Sequence, residues 1–209
     1  MTRIIGGSVG GRRLAVPRGS ATRPTSDRVR EALFSAVEAW CGPLDGLRFL
    51  DLYAGSGAVG LEARSRGAGV VTLVESDRRT AALVQQNARS LGLSRVEVVA
   101  QPVAAWLGRP AATPYDVVFA DPPYPLPTDA VDADLRALAA HGWLVPDALV
   151  VVERSSRSTA PTWPAGLEPV RERRYGETTL WYGRAAPAPL GESAGPSPGP
   201  VRTADVEER

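Results

Sequence analysis

The sequence has no lysine, and it contains only one cysteine, Cys41, and one histidine, His141. A single cysteine cannot form an internal disulfide, and one Cys with one His cannot build a Cys/His zinc site. No apolar run approaches the roughly 20 residues that a membrane-spanning helix needs. The first residues also lack the apolar core and cleavage site of a secretory signal. These absences favour a cytoplasmic protein without a metal site.

Acidic residues are also missing from the first 25 positions. The arginines of this stretch are Arg3, Arg12, Arg13, Arg18 and Arg23, although the net charge of the whole 209-residue chain is only +1. Genome composition explains arginine in place of lysine, but it does not explain the missing acids. A basic arm on a balanced domain is typical of proteins with a polyanionic partner. Short β-prone runs at residues 2–5 and 12–16, around a glycine-rich stretch, predict that the arm is a hairpin. We expect it to protrude from a monomeric protein.

Alternating strand and helix patterns follow the arm. A helix begins at Thr25 or Ser26, and apolar residues recur along it at helical spacing up to Trp40. The predicted strands are 48–53, 70–75, 95–100, 116–120 and 149–153, and the helices between them are 58–66, 78–90, 103–107 and 129–140. This alternation predicts a parallel sheet with helices on both faces, and 170–175 with 178–182 adds an antiparallel pair at its edge. The predicted organisation is an arm at 1–25, one domain at 26–184 and a disordered tail at 185–209.

The tetrapeptide Asp121-Pro122-Pro123-Tyr124 directly follows the apolar strand at 116–120. Two successive prolines end the strand and form a stiff turn. This turn places a carboxylate, a free carbonyl and an aromatic ring at the carboxyl edge of the sheet, where α/β proteins bind ligands. Taken alone, the tetrapeptide is equally compatible with an ordinary surface turn.

A glycine loop lies between the first predicted strand and the next helix. Gly55 and Gly57 allow close approach to a ligand and present amides at a helix N-terminus. Glu75 ends the following strand, where a carboxylate can accept hydrogen bonds from both ribose hydroxyls. The loop, its context and Glu75 together predict a nucleoside-containing cofactor.

Two cofactors fit the glycine loop. The spacing Gly55-x-Gly57-x-x-Gly60 matches the dinucleotide fingerprint, which would mean NAD. S-adenosylmethionine carries an ammonium and a sulfonium instead of a pyrophosphate, and Asp51 before the loop suits a cationic ligand. Asp51 could alternatively cap nearby amides. NAD leaves the tetrapeptide at 121–124 without a role, so S-adenosylmethionine is favoured.

The motifs resemble those of known methyltransferases. Asp51-x-x-x-Gly55-x-Gly57 with Glu75 resembles the cofactor motifs of class I enzymes, and Asp121-Pro122-Pro123-Tyr124 resembles the (N/D/S)-P-P-(Y/F/W) motif of those that methylate planar nitrogens. The segments RIIGG at 3–7, GRRL at 11–14 and RPTSDRVREALF at 23–34 look like the RsmD family, bacterial 16S ribosomal RNA guanine-N2 methyltransferases. The resemblance covers about residues 2–184.

The resemblance implies a class I S-adenosylmethionine-dependent methyltransferase fold, which is Rossmann-like with a mostly parallel seven-stranded sheet, an antiparallel edge strand and the N-terminal β-hairpin arm. The implied cofactor-binding residues are Asp51, Tyr53, Ala54, Gly55, Ser56, Gly57, Glu75, Ser76 and Gln101. The implied catalytic residues are Asp121, Pro122, Pro123 and Tyr124, and no metal is involved. The implied RNA-binding residues are Arg3, Arg12, Arg13, Arg23 and Arg28, and the substrate is 16S ribosomal RNA or the small-subunit particle.

Some assignments stay open at this stage. Many relatives have an acidic or Asn residue before a small one in the adenine region, whereas here Gln101 precedes Pro102, which has no amide to donate. The segment at 23–31 either lines the cofactor or substrate entrance, with Thr25, Asp27 and Arg28 as candidates, or forms a helix cap at Ser26 or Asp27 with its arginines in solvent. The rival functions are methylation of adenine in DNA or of a glutamine side chain, where Asn usually opens the motif. An NAD-dependent oxidoreductase and a noncatalytic RNA-binding module are the rivals from other classes.

Overall fold

The computed structural model describes residues 2–17 and 26–187 of the chain. Predictions for Arg18, Arg23, Thr25 and residues 188–209 concern positions outside these ranges. In the described ranges, no helix is long and apolar enough to cross a membrane.

A seven-stranded sheet with the order β3-β2-β1-β4-β5-β7-β6 organises the described residues. Its strands are β1 (Arg48–Leu52), β2 (Val70–Val74), β3 (Val96–Val99), β4 (Tyr115–Ala120), β5 (Leu144–Ser155), β6 (Leu167–Tyr175) and β7 (Thr178–Ala185). The helices are α1 (Asp27–Cys41), α2 (Ala58–Ser65), α3 (Arg78–Leu91), α4 (Val103–Leu107) and α5 (Thr128–Ala140). Strands β1 to β5 are parallel, whereas β7 pairs antiparallel with both β5 and β6.

The sheet confirms the predicted fold class and refines its last part. The reversed strand is β7, which lies one position inside the edge, while β6 is outermost. β5 begins at Leu144, whereas the sequence predicted a start at 149. The predicted strand is too short because Pro146 and Asp147 give the first half of β5 the composition of a turn. β7 extends to the buried Ala185, which the sequence had assigned to the tail.

Strand residues alternate between two hydrophobic clusters, one on each face of the sheet. On β1, Phe49 packs into the cluster that contains Phe34 of α1, whereas Leu50 packs into the cluster that contains Leu135 of α5. Both faces of the central strands are therefore buried, and this explains why β1, β2 and β4 are mostly apolar, whereas the outermost strand β6 is mostly exposed. Helix α1 begins as predicted at Ser26, whose hydroxyl accepts a hydrogen bond from the Val29 amide at 3.3 Å.

The N-terminal residues form a short hairpin that is docked on the domain. Arg3 and Arg13 form an isolated antiparallel bridge, and the Leu14 amide donates to the Thr2 carbonyl at 2.9 Å. Ile4 and Leu14 are buried in a third hydrophobic cluster with Ala58, Leu61, Ala88 and Leu91 of α2 and α3. The expectation of a protruding arm is therefore wrong, because the hairpin buries its apolar side chains against these two helices.

Candidate active site

Three carboxylates lie at the carboxyl edge of neighbouring strands. Asp51 is on β1, Glu75 directly follows β2 and Asp121 directly follows β4. Because β1 pairs in parallel with both β2 and β4, the topology brings residues from three distant parts of the sequence to one edge. The charges of Asp121 and Glu75 both raise the pKa of Asp51, which is consistent with their proximity.

The glycine loop turns sharply between β1 and α2. Tyr53, Gly55 and Gly57 have positive φ angles of 62°, 52° and 79°, a conformation that is rare for non-glycine residues. One Glu75 oxygen accepts the Gly55 amide at 2.9 Å, and the other accepts the Asp77 amide at 2.8 Å. The Ser76 hydroxyl also contacts Glu75, at 3.4 Å. Glu75 therefore joins the glycine loop to the start of α3.

Asp51 is almost fully buried and accepts the Gly60 amide of α2 at 2.8 Å. Burial raises its pKa to about 8, the Gly60 hydrogen bond opposes this shift, and the charges of Asp121 and Glu75 add to it. The capping role left open from the sequence is thus present. A Cβ on Gly60 would approach Leu73 to 2.7 Å. This tight contact between helix and strand accounts for the third glycine of the fingerprint without any dinucleotide.

Tyr53 is fixed from outside the loop by a residue that sequence reasoning missed. Its hydroxyl donates a hydrogen bond to Asp134 of α5. Burial and the neighbouring Asp134 raise the pKa of Tyr53, and burial also raises the pKa of Asp134. Nothing in the sequence marks Asp134, since acids at this spacing are ordinary in a surface helix. The Ala54 amide donates to the Val74 carbonyl at 3.0 Å, which ties the next loop residue to β2.

The tetrapeptide turn projects from the end of β4. The Asp121 amide donates to the Leu52 carbonyl at 3.4 Å, and the Leu126 amide donates to the Pro123 carbonyl at 2.8 Å. Pro122 is buried, whereas the Tyr124 side chain is 62% exposed. The backbone of Asp121 is thus anchored to Leu52, directly before the glycine loop, and the Tyr124 ring is largely exposed.

Arg154, at the end of β5, is a second residue that sequence reasoning missed. Its Nη2 donates to the Leu126 carbonyl at 2.8 Å and so supports the segment after the turn. It also lines a small pocket together with Asp121, Pro122, Tyr124, Glu153 and Thr178. Its one sequence signal is an arginine that follows an apolar strand.

Gln101 lies just after β3, at the same sheet edge. It is exposed, and its Oε1 accepts a hydrogen bond from Nη2 of Arg109 at 2.7 Å. Its contact with a cofactor adenine therefore stays a prediction.

Asn87 of α3, a third residue that sequence reasoning missed, contacts the glycine loop. The Asn87 side chain donates to the Ala15 carbonyl at 2.9 Å and to the Ser56 carbonyl at 3.2 Å. It therefore connects the hairpin to the glycine loop.

The predicted RNA-binding arginines differ in their exposure and in their contacts with the rest of the protein. Arg3 forms an ion pair with Asp27 at 3.1 Å, and Arg12 donates to the Ser90 carbonyl at 2.8 Å. Arg13 and Arg28 are exposed. Partial burial acts to raise the pKa of Asp27, but hydrogen bonds from Arg30 and Arg3 outweigh it and lower the pKa. Asp27 thus holds the start of α1 rather than standing in solvent.

Solved structures of methyltransferases share this architecture. A putative methyltransferase from Escherichia coli superposes with a TM-score of 0.79 at 34% identity, covering 90% of this chain and 99% of that one. A magnesium protoporphyrin IX methyltransferase from Synechocystis, solved with bound S-adenosylhomocysteine, has a TM-score of 0.59 at 15% identity and supports the fold alone. Within the described residues, no group of three or more His, Cys, Asp or Glu could hold a metal ion. The sheet order and these relatives define a class I, Rossmann-like methyltransferase.

The family is also defined. The model described as "Conserved hypothetical protein 95" matches residues 2–184. Ribosomal RNA small subunit methyltransferase D of Escherichia coli is 39% identical over 176 residues, which cover 84% of this chain and 85% of that protein. A putative ribosomal RNA methyltransferase of Bacillus subtilis is 34% identical and covers 84% of this chain and 95% of that protein. The chain belongs to this family, and the RsmD family predicted from the sequence is confirmed.

Proposed function

We propose that this protein transfers a methyl group from S-adenosylmethionine to the exocyclic N2 amine of a guanine in 16S ribosomal RNA. The observation that carries the proposal is the Asp121-Pro122-Pro123-Tyr124 turn, anchored beside the glycine loop at one edge of the sheet. The E. coli relative, named as a small-subunit ribosomal RNA methyltransferase, supports RNA as the substrate. A cytoplasmic location and a monomeric state belong to the same proposal.

The carboxylates at the sheet edge fit a cationic cofactor better than a dinucleotide. Burial raises the pKa of Asp51, and repulsion by the charges of Asp121 and Glu75 raises it further. A ligand with positive charge relieves this repulsion, whereas a pyrophosphate would increase it. Glu75 would hold the ribose hydroxyls, and the loop at 53–57 would line the rest of the site. S-adenosylmethionine, when bound, supplies an activated methyl group with a good leaving group.

The turn supplies the chemistry at the target amine. The lone pair of a guanine amine is delocalised into the ring, so the amine is a poor nucleophile. The Asp121 carboxylate and the Pro122 carbonyl can accept its two N–H groups and favour a geometry in which the lone pair faces the methyl donor. The exposed Tyr124 ring can stack on a base that has left its helix. Asp121 can then receive the surplus proton, directly or through water.

Product analysis tests this proposal directly. Tritiated methyl transfer should label small-subunit particles or naked 16S RNA but not DNA, and the labelled nucleoside should be N2-methylguanosine. Calorimetry should show heat of binding with S-adenosylmethionine and none with NAD. A labelled adenine or labelled DNA would place the enzyme with the rival methyltransferases, and tight NAD binding would indicate an oxidoreductase.

Cofactor binding is expected to release a proton near pH 7. The pKa of Asp51 is about 8 in the absence of a bound cation, so the side chain is protonated in most molecules at pH 7. A bound cation stabilises the carboxylate and lowers this pKa, so release approaches roughly one proton per site at pH 7 and disappears well above pH 9. Calorimetry at pH 7 in buffers of different ionisation enthalpy measures the release. The control is Asp51→Asn, which keeps an acceptor for the Gly60 amide and should release measurably less. Equal release by both proteins would contradict the prediction.

Arg13→Glu is expected to weaken RNA binding while leaving cofactor affinity unchanged. Arg13 is exposed, whereas Arg12 also holds the Ser90 carbonyl, so Arg13 separates RNA contact from docking of the hairpin. Losing one phosphate contact should lower the slope of log affinity against log salt by about 1. Titrations of RNA at several salt concentrations measure this slope. The matched control is Arg136→Glu on the exposed side of α5, which should leave the slope unchanged. Equal losses of RNA and cofactor affinity in Arg13→Glu would assign the hairpin a purely structural role.

A further inference from the structure

Arg154 contains a buried donor without a partner. Its Nη1 is shielded from solvent and has no hydrogen-bond partner in the described part of the chain, although Nη2 is bonded to the Leu126 carbonyl. Buried polar groups in folded proteins are nearly always hydrogen-bonded, and an unpaired charged donor is more costly than a neutral one. A donor left unpaired beside a functional turn indicates that a ligand supplies the acceptor.

The position of this donor narrows the choice of ligand. Arg154 lines the same pocket as Asp121, Pro122 and Tyr124, and Ser155 and Thr178, which pair between β5 and β7, also line it. A base whose amine is held by Asp121 and Pro122 would therefore sit beside the Arg154 guanidinium. In guanine, N3 lies on one side of the amine-bearing carbon, on the sugar edge, and O6 lies on the other side, beyond N1, on the Watson–Crick edge. Both atoms are hydrogen-bond acceptors.

We propose that Nη1 of Arg154 donates a hydrogen bond to an acceptor of the target guanine, either O6 or N3, and so selects and positions the base. This inference rests on the proposed function. A base that lacks the acceptor leaves a buried charge unpaired, and sites of this kind reject such analogues strongly. Arg154 is then a base-recognition residue, while Asp121 and Pro122 act on the amine itself.

A purely structural role makes a different prediction. Through Nη2, Arg154 also holds the Leu126 carbonyl and the segment after the catalytic turn. If this were its whole contribution, Arg154→Ala would slow every substrate by the same factor. Recognition of the base instead predicts that the variant becomes less sensitive to the presence of one particular acceptor atom.

The experiment is an atomic-substitution cycle. The methylated nucleotide is first mapped by mass spectrometry of RNA treated with the wild-type enzyme, which tests the proposed function separately. Synthetic RNAs then carry guanosine, 2-aminopurine (no O6) or 3-deazaguanosine (no N3) at that position. In the wild type, one analogue should lower kcat/KM by roughly ten- to a hundredfold more than in Arg154→Ala, as expected for a hydrogen bond from a charged donor. Because 2-aminopurine also lacks the N1 proton, any part of its penalty that survives in the variant is assigned to that loss.

Two further variants distinguish loss of base recognition from a general loss of activity or folding. Arg157→Ala, an exposed arginine in the next turn, should retain the full wild-type analogue penalties. If Arg154→Ala does not fold, Arg154→Lys replaces it in the same cycle and should lose most of the penalty, because its single nitrogen cannot occupy the positions of both Nη1 and Nη2. Equal penalties in the wild type and the Arg154 variants, with guanine still methylated, would overturn the inference and leave the proposed function intact. Failure to methylate any guanine would overturn both.

Discussion

Asp121→Ala is expected to lower kcat roughly 10²- to 10³-fold, the usual effect of removing one group positioned to stabilise a transition state. The affinity for S-adenosylmethionine should change far less than kcat, because Glu75 accepts the glycine-loop amide and Asp121 contributes to cofactor binding mainly through its charge. Single-turnover methyl transfer measures the first quantity and calorimetry the second. Unchanged turnover would assign the chemistry to other residues.

Asp121→Asn separates the two roles proposed for this carboxylate. An amide keeps an oxygen that can accept an N–H group of the target, but it cannot take up the surplus proton. If orientation of the amine dominates, Asn should lose only about tenfold, well short of the loss in Ala. If proton uptake dominates, Asn should be as slow as Ala. The matched control is Asp129→Asn, an exposed carboxylate at the start of α5, which should behave like the wild type.

Contiguous features of the site could be predicted from the sequence. The glycine loop and the tetrapeptide are each encoded within a dozen residues, and strand context places both at the carboxyl edge of the sheet. Glu75 was found because its distance from the loop corresponds to one βα unit. The order of strands could not be derived from periodicity alone, and it came from the resemblance to known methyltransferases.

Contacts between distant segments could not be predicted. Asp134 and Arg154 reach the site only because α5 and β5 pack beside the glycine loop and the turn, and their side chains are ordinary for a surface helix and a strand end. The hairpin illustrates the opposite error, since its short β-prone runs suggest an arm, whereas Ile4 and Leu14 are buried on α2 and α3. An alternating pattern shows which side chains seek burial, but it does not show what covers them.

The docked hairpin depends on a buried charge network that links it to α1 and α2. Glu62 of α2 is fully buried and accepts the amides of Ile5 at 3.1 Å and Gly6 at 3.2 Å. The fully buried Arg30 of α1 lies 3.6 Å from Glu62 and donates to the Arg3 carbonyl at 2.7 Å. Both ions therefore satisfy backbone groups of the hairpin as well as each other. The one sequence signal for this network is a glutamate in α2, where every other residue except Arg64 is apolar or small.

Glu62→Gln is expected to lower the free energy of unfolding by about 3–5 kcal/mol, the usual cost of removing one partner from a buried ion pair. Among the described residues, Arg30 then keeps only the partly exposed Asp27 as its counter-ion, and an amide nitrogen replaces one acceptor of the hairpin amides. Chemical denaturation measures the loss, and hydrogen exchange at Ile5 and Gly6 shows whether the hairpin detaches first. The matched control is Glu38→Gln, because Glu38 forms a partly exposed ion pair with Arg66 at 3.3 Å. Arg66 keeps its closer ion pair with Glu62 at 2.9 Å, so this change should cost less than about 1 kcal/mol. Because Asn87 joins Ala15 to the glycine loop, detachment of the hairpin should also weaken cofactor binding. Equal stabilities of the Glu62 and Glu38 variants would show that Glu62 is dispensable.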